Sequence, residues 1–420
     1  MSKKIKVLTL SDHPLSPSGV GTQTKYMIEG LLATGRFEVV SLGGAIKHEN
    51  YQPMKTEEWG DDWVIFPVDG YGTQDIIRSI LRNEKPDILW FMTDPRFYGW
   101  LWQMEDEIRP LVPMVYYHVW DNYPPPKYNK VFYDSTDVIV TISRLTDEIT
   151  RLVTDTPDVI HLPHAVDTEI FQKLDSETMA KFRQDSLSND GNKEKMIFFW
   201  NNRNARRKQS GTLIWWFKDF LDRVGHDNAT LIMHTDPKDQ HGQDLEAIIH
   251  ELGLHHGQVK LSREKVSPKA LAHLYNLADC TINISDAEGF GLATLESLAC
   301  ETPIIVTMTG GLQEQVTDGE NWFGYGIQPS SQAVIGSQQI PWIYEDRING
   351  KEFVDTLEKF YNLSAEERAE LGKAGRAHVE NNYSFEKYQT GWDELLTKVH
   401  ETHGSWDTRK GYNSWRAEEL

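Results

Sequence analysis

Long apolar stretches are missing from this 420-residue chain. No run approaches the roughly 20 residues that a membrane-spanning helix needs, and the opening MSKKIKVLTL passes directly into a strand-like pattern. Cysteine is also scarce, because only Cys280 and Cys300 occur, each among apolar or small neighbours. Two buried, reduced thiols are a simpler interpretation than a disulfide or a metal pair. We therefore expect a cytoplasmic protein with no transmembrane segment.

Basic residues are also few relative to acidic ones. Lys and Arg number 43 against 63 Asp and Glu, which gives a formal net charge of −20. This charge disfavours nucleic acid as a partner without excluding it, because a local basic pocket can still bind phosphate. No Asp-x-Asp triplet occurs, and the His residues show no ligand spacing with Cys or carboxylates. The sequence thus predicts neither a bound metal nor a resident cofactor.

The chain does contain enough apolar residues, 39%, for two folded cores. Short β-branched runs alternate with segments of helical period, which is the βαβ rhythm of parallel sheets. Strands are predicted at 5–11, 37–42, 63–68, 88–91, 114–117, 138–142, 159–162, 196–200, 229–234, 259–261, 280–284 and 304–306. The polar, turn-rich stretch SLSNDGNKEK divides the pattern.

These patterns predict an α/β protein of two Rossmann-like domains, each a doubly wound parallel sheet, facing a deep cleft. The first is expected to comprise residues 1–185, with a tail of about 400–420 packing back on it. The second is expected to comprise residues 186–400.

The strongest motif follows a predicted buried strand and opens a helix, and it reads DAEGFGLATLESLACETPIIVTMTGG. Glycines at a helix entrance let a ligand approach the backbone, and the free N–H groups there attract phosphate. Glu288 can accept hydrogen bonds from a sugar and Glu296 from ribose; the alternative is a solvated acidic loop before an ordinary helix. The motif predicts that a nucleoside diphosphate sugar binds at Glu288, Gly289, Phe290, Gly291, Leu292 and Glu296.

The seven-residue gap between Glu288 and Glu296 resembles the Glu-x7-Glu signature of the GT4 family of retaining glycosyltransferases, also called glycosyl transferases group 1. The segment from His164 to Phe171 is similar to the family's interdomain segment, and the run 308–312 resembles the loop after its donor-site helix, although a simple turn with a helix cap explains that run equally well. The resemblance implies the GT-B fold and transfer with retention of anomeric configuration.

Two cations also match the family. Arg203, followed by Lys208, resembles the Arg and Lys pair on the donor phosphates, although the family usually has Gly-Arg where this chain has Asn202-Arg203. Fixed cations there stabilise the charge that develops on a leaving diphosphate, so both are candidate catalytic and donor-binding residues. The alternative is a solvated basic turn, and a neighbouring Arg competes with Lys208 for the lysine's role.

In the first half, Gly19 and Gly21 follow the opening strand and precede a helix. The resemblance places this loop where donor and acceptor meet, whereas a simple turn with Thr22 as N-cap is the alternative. His118 ends a predicted strand, and the resemblance implies a cleft histidine that contacts the transferred sugar. A structural histidine is the alternative, and the shaped loop that follows favours the catalytic role.

Together these observations predict an enzyme, a hexosyl- or pentosyltransferase that moves a sugar from a nucleoside diphosphate sugar to a hydroxyl of a glycan, lipid or small molecule. Three alternatives stay open: a GT-B epimerase or phosphorylase, a nucleotide-sugar-binding protein without catalysis, and a glycosyltransferase that acts on modified DNA bases. The sequence does not determine the donor base, the sugar, the acceptor, the linkage or the oligomeric state.

Overall fold

The computed structural model of the chain describes residues 3–187 and 195–412. It divides into two compact units, of which the first runs to Ala165 and resumes at Phe385, and the second is Val166–Ser384. Most of the stretch SLSNDGNKEK, and residues 413–420 of the tail, lie outside the described residues. No helix of the described part combines the length and apolarity needed to cross a membrane.

The first unit is built on one sheet. Its strands are β1 (Ile5–Asp12), β2 (Phe37–Gly44), β3 (Met54–Lys55), β4 (Trp63–Pro67), β5 (Ile88–Met92), β6 (Met114–His118), β7 (Val138–Thr141) and β8 (Asp158–His161). Within residues 3–187 these form an eight-stranded sheet in the order β3-β4-β2-β1-β5-β6-β7-β8, parallel except for β3 against β4. Its helices are α1 (Gly19–Ala33), α2 (Gln74–Glu84), α3 (Gly99–Trp102), α4 (Glu105–Ile108), α5 (Lys130–Asp134) and α6 (Arg144–Val153).

The second unit repeats the plan. Its strands are β9 (Met196–Asn201), β10 (Ala229–His234), β11 (Val259–Ser262), β12 (Cys280–Asn283), β13 (Ile304–Thr307), β14 (Gly324–Ile327), β15 (Ser331–Ile335) and β16 (Ile343–Arg347). Its helices are α7 (Ser176–Leu187), α8 (Ser210–Val224), α9 (Leu245–Glu251), α10 (Pro268–Leu277), α11 (Leu292–Ala299), α12 (Leu312–Val316), α13 (Gly350–Tyr361) and α14 (Ala365–Asn382). In its described residues, six strands form a parallel sheet in the order β11-β10-β9-β12-β13-β14, and β15 pairs with β16 as a separate antiparallel hairpin.

The central strands are buried along their whole length because helices cover both faces of each sheet, and this is why they are nearly continuous apolar runs. Cys280 and Cys300 are both buried free thiols, as the sequence predicts. Each unit is therefore one Rossmann-like domain built on a parallel sheet, which is the fold class that the sequence predicts.

The bounds of the two units differ from the expected 185/186 and about 400. The helix α7 belongs to the second unit, where the Phe182 ring lies 5.3 Å from that of His273 on α10. The last helix, α15 (Phe385–His403), belongs to the first unit, where Trp392 packs edge-on against Trp90 and Tyr117. In sequence α7 resembles a linker because its exposed surface is polar. The contacts of its buried side place it in the second unit.

The chain after α15 stays on the first unit. Trp406 Nε1 donates to the Pro86 carbonyl at 2.8 Å, and Ser405 Oγ donates to Asp87 at 2.7 Å. Arg409 donates to Asp137 at 2.8 Å. These contacts fix the described part of the tail, up to residue 412, beside the amino ends of β5 and β7.

Candidate functional site

The two loops that carry the predicted residues of the second unit leave neighbouring strands. The chain proceeds from β9 outward to β10 and β11, and from β12 outward in the other direction to β13 and β14. At such a switch of strand order the loops after the two central strands diverge and leave a crevice at the carboxyl edge of the sheet. The residues that follow Asn201 and Asn283 therefore line one crevice.

A buried ion pair joins these two loops. Lys208 ends a short 3-10 turn after β9, and its ammonium pairs with Glu288 Oε2 of the loop after β12. The side chains are only 9% and 11% exposed. Asn283 Nδ2 also donates to Glu288 Oε2 at 3.3 Å. Burial favours the protonated carboxyl, but Lys208 and then Arg207 outweigh it and lower the pKa of Glu288, so Glu288 is an anion at neutral pH.

The glycine-rich segment after Glu288 is held in shape by a second turn. Gly291 caps α11 with a φ of +95°, a conformation that L side chains rarely adopt. Gly310 has a φ of +51°, and a Cβ there would lie 1.7 Å from the Glu288 carbonyl oxygen. The Gly311 amide donates to that same oxygen at 3.1 Å. The run 308–312 is thus the support of the Glu288 loop, a role that the sequence left undecided.

Phe290 and Leu292 flank the glycine that begins the helix. Phe290 is buried, with its ring 5.7 Å from that of Tyr383, and its carbonyl accepts from Gln315 at 2.8 Å. Leu292 is the first residue of α11 and is half-buried. Phe290 therefore anchors the segment, and the backbone of the helix entrance remains the part that can bind an anion.

Glu296 lies one turn into α11 and is partly buried. It accepts a hydrogen bond from Tyr275 Oη of α10 at 2.7 Å. Burial raises the pKa of Glu296 to about 7, against the opposing effect of the Tyr275 hydrogen bond. Near neutral pH this carboxyl is therefore divided between an anionic and a protonated form.

Charge pairs tie the same loops to the β15–β16 hairpin. Both terminal nitrogens of Arg206 donate to Glu345, at 2.9 and 2.5 Å. Arg347 pairs with Asp286, and the Asp346 amide donates to the Asp286 carbonyl at 2.8 Å. The hairpin, which the sequence did not predict, therefore braces the start of both loops.

Arg203 is placed differently from the other predicted residues. Its side chain is 60% exposed and forms a bidentate pair with Asp239, at 2.6 and 3.2 Å. The hydrogen bond with Asp239 is the main reason that the pKa of Arg203 is raised. The structure thus pairs Glu288 with Lys208, whereas Arg203 pairs with Asp239 at the exposed side of the loop.

In the first unit, the loop of Gly19 and Gly21 follows β1. The N-cap of α1 is Ser18, whose Oγ accepts from the Gly21 amide at 2.9 Å, so Thr22 as the alternative cap is wrong. Ser18 Oγ also donates to Asp12 at 2.6 Å. Ser18 caps the helix because it, not Thr22, directly precedes the first helical turn, which begins at Gly19.

His118 is fully buried at the end of β6. Its Nε2 lies 2.7 Å from Tyr133 Oη and its Nδ1 lies 3.1 Å from Tyr116 Oη. Burial lowers the pKa of His118 to about 3, so the ring is neutral. The two phenols hold the imidazole in place, and a role for His118 in contacting a sugar stays a prediction.

Three polar residues of the crevice were not predicted. Asn283 contacts Glu288, and Asn201 Nδ2 donates to Tyr275 Oη at 2.8 Å. The two asparagines end β12 and β9, a position from which polar residues reach ligands in parallel sheets, so their place at the strand ends was the available signal. The sequence offered no such signal for Tyr275, since a tyrosine within a helix resembles any other aromatic residue of the core. In residues 3–187 and 195–412, no group of three or more His, Cys, Asp or Glu is arranged to hold a metal ion.

Comparison with known proteins connects this crevice to a family. Residues 181–378 match the family described as "Glycosyl transferases group 1". The D-inositol 3-phosphate glycosyltransferase of Paenarthrobacter aurescens is 30% identical over 138 residues, which are 33% of this chain and 28% of that relative. The match thus spans less than a third of the relative's length.

Two solved structures resemble the chain over nearly its whole length. Sucrose-phosphate synthase from Thermosynechococcus elongatus has a TM-score of 0.74 at 15% identity, covering 95% of this chain and 100% of that one. HepE from Anabaena, in complex with UDP and glucose, has a TM-score of 0.68 at 15% identity, covering 94% and 100%. At this identity the likeness establishes the shared fold of two parallel-sheet units.

Proposed function

Because residues 181–378 of this chain match the family of the glycosyl transferases group 1, we propose that the protein is a glycosyltransferase that uses a nucleoside diphosphate sugar. The sugar passes to a hydroxyl of a glycan, lipid or small molecule with retention of its anomeric configuration. Uridine diphosphate sugars are the first donors to test, since the complexes of HepE contain UDP, UDP and glucose, or UDP-glucose.

The observation that carries the proposal is the buried pair of Lys208 and Glu288 beside the entrance of α11. Two buried charges of opposite sign suit a ligand that presents a diphosphate next to a row of hydroxyls, because each charge can be taken over by a different part of it. Lys208 would then bind the diphosphate together with the amides of the Gly289–Gly291 segment. Glu288, released from the ion pair, would accept hydrogen bonds from the sugar.

In this proposal the acceptor oxygen bonds to the anomeric carbon as the bond from that carbon to the diphosphate oxygen breaks. The leaving oxygen takes the bonding electron pair, and the acceptor's proton passes to the leaving phosphate. Negative charge therefore grows on the diphosphate, where Lys208 acts and where Arg203 would act on leaving its pair with Asp239. A fixed cation there contributes about 3 kcal/mol of transition-state stabilisation, by analogy with a single oxyanion donor.

The first experiment is a thermal-shift screen of the purified chain with UDP-, GDP- and ADP-sugars, since a ligand of the folded state alone raises the Tm. Kd and turnover of the best donor are then measured in Glu296→Ala, which we expect to weaken donor binding, and in Arg203→Ala, which we expect to lose turnover. Lys218→Met, at an exposed pair on α8, is the matched control. Wild-type affinity and rate in both test variants would refute the proposal.

Product analysis separates the alternatives. A transferase releases nucleoside diphosphate in step with an acceptor-bound sugar, whereas an epimerase changes the donor without acceptor and a phosphorylase requires inorganic phosphate. Inositol 3-phosphate belongs in the acceptor panel because the curated relative is named for it. A donor that binds and is never consumed with any acceptor would instead favour a binding protein.

A further inference from the structure

Tyr275 forms a polar bridge across the candidate site. Its ring is fully buried on α10, edge-on to Phe199 of β9 at 5.2 Å. Its hydroxyl lies between two side chains of the crevice: Asn201 Nδ2 donates to Oη at 2.8 Å, and Oη donates to Glu296 Oε2 at 2.7 Å. The bridge thus connects the end of β9 to the first turns of α11.

The direction of this bridge is fixed by chemistry. A phenol has one hydrogen, and because the Asn201 amide occupies the oxygen as a donor, that hydrogen is directed to Glu296. A hydrogen bond to an ionised carboxylate is about twice as strong as one between neutral groups. The buried ring cannot follow a rotating carboxyl, so the bond also selects one orientation of Glu296.

We propose that Tyr275 is a positioning residue that holds Glu296 in the orientation in which its carboxylate accepts hydrogen bonds from the ribose of the donor. This inference rests on the proposed function. Tyr275 acts through Glu296 and does not itself contact the nucleotide.

The pKa of Glu296 distinguishes a positioning role of Tyr275 from a merely structural one, because loss of a structural tyrosine would leave that pKa unchanged. Burial raises the pKa of Glu296 to about 7, and Tyr275 opposes that rise. The nearby titratable groups are the Cys300 thiol, whose pKa is raised by burial and then by Glu296, and, beside that thiol, Arg376 of α14 and Lys173. Loss of the Tyr275 hydroxyl should therefore move the pKa of Glu296 upward, because the remaining effect on it is burial.

The experiment measures the Kd of the preferred nucleoside diphosphate among UDP, GDP and ADP, and of the same nucleotide without its ribose 2′- and 3′-hydroxyls. Wild type, Tyr275→Phe and the control Tyr388→Phe are compared from about pH 5.5 to about pH 8.5. Tyr388 is matched because it is also buried and donates to a backbone carbonyl, that of Gln23, at 3.1 Å, but in the first unit. If Tyr275→Phe does not fold, Asn201→Ala interrupts the same bridge from its other end.

In wild type and in Tyr388→Phe we expect removal of the ribose hydroxyls to weaken binding about tenfold, equivalent to one good hydrogen bond to a charged group. In Tyr275→Phe we expect that factor to fall below about threefold, and the pH midpoint for tight binding of the ribonucleotide to lie higher than in wild type. Glu296→Gln should show the same pH midpoint for both nucleotides, because only the terminal phosphate, with a pKa of about 6, then titrates in this range.

The outcomes separate this inference from the function on which it rests. A wild-type protein that binds none of the nucleotides refutes the proposed function. A wild type that discriminates ribose, beside a Tyr275→Phe variant with the same discrimination and the same pH midpoint, overturns only the positioning role. Equal weakening of both nucleotides with an unchanged midpoint also overturns it, because that pattern is the signature of a structural defect.

Discussion

Replacing Lys208 by methionine tests the ion pair at the centre of the candidate site. The change keeps most of the side-chain volume but leaves the Glu288 carboxylate, 11% exposed, without its cation. Removing one partner of a buried pair costs about 3–5 kcal/mol of folding free energy. For a unit of this size that corresponds to a fall in Tm of roughly 10 °C.

The pH dependence gives the sharper test. In the native pair the pKa of Glu288 is lowered, so its contribution to stability is present above the unfolded value of about 4.3 and is lost only as the pH falls through the folded pKa. Without Lys208, burial is opposed only by Arg207 and the Asn283 hydrogen bond, and we expect the pKa of Glu288 to rise above the unfolded value. The deficit of the variant should then be largest at about pH 8 and should shrink towards about pH 5, where Glu288 becomes protonated.

The assay is thermal unfolding over this pH range of four proteins: wild type, Lys208→Met, Lys208→Met/Glu288→Gln and Lys218→Met. Lys218 forms an exposed pair with Asp222, with side chains 31% and 47% exposed, so the same substitution there should cost about 0.3–0.5 kcal/mol. The double variant should recover most of the loss because both charges of the buried pair are then absent. A Lys208→Met variant no less stable than Lys218→Met, with a deficit independent of pH, would refute this reasoning.

Three further predictions follow from the geometry. Gly310→Ala should lower the Tm and weaken donor binding, because the new Cβ would lie 1.7 Å from the Glu288 carbonyl oxygen. The control is Gly253→Ala, where φ is +67° and no atom of the described residues beyond its chain neighbours lies within 4 Å of the new Cβ, so it should cost only the backbone strain of about 1–2 kcal/mol. His118→Gln should lessen the loss of stability on acidification from about pH 6.5 to 4.5, since a neutral His118 with a pKa of about 3 loses about 1.4 kcal/mol per pH unit there; parallel slopes in thermal unfolding would contradict this. Arg203→Ala should change the free energy of unfolding by no more than about 1 kcal/mol, because its pair with Asp239 is exposed, and a larger loss in chemical denaturation would contradict that.

Much of the fold was readable from local pattern. Each predicted strand lies on a strand of the structure, because strands buried on both faces are short, uninterrupted apolar runs. The start of α10 was equally local, since Ser267 caps the helix and Pro268 opens it, as the sequence indicates. Besides the two-residue strand β3, the strand β14 and the β15–β16 hairpin were missed. The former contains Gly324 and Gly326, and the latter is half-exposed, so neither shows an apolar run.

In the candidate site, too, some features follow from local sequence and others depend on the tertiary structure. The spacing of Glu288 and Glu296, and the glycine at the entrance of α11, are properties of adjacent residues, and the sequence alone determined them. The pairing of Glu288 with Lys208, 80 positions apart, depends on β9 and β12 being neighbours in the sheet. The Tyr275 bridge depends on the packing of α10 beside α11, and the isolation of His118 depends on two tyrosines that close around it. Local sequence fixes which groups can bind a ligand, but burial and long-range contacts set their charge and direction, so only the tertiary structure decided which of them act together.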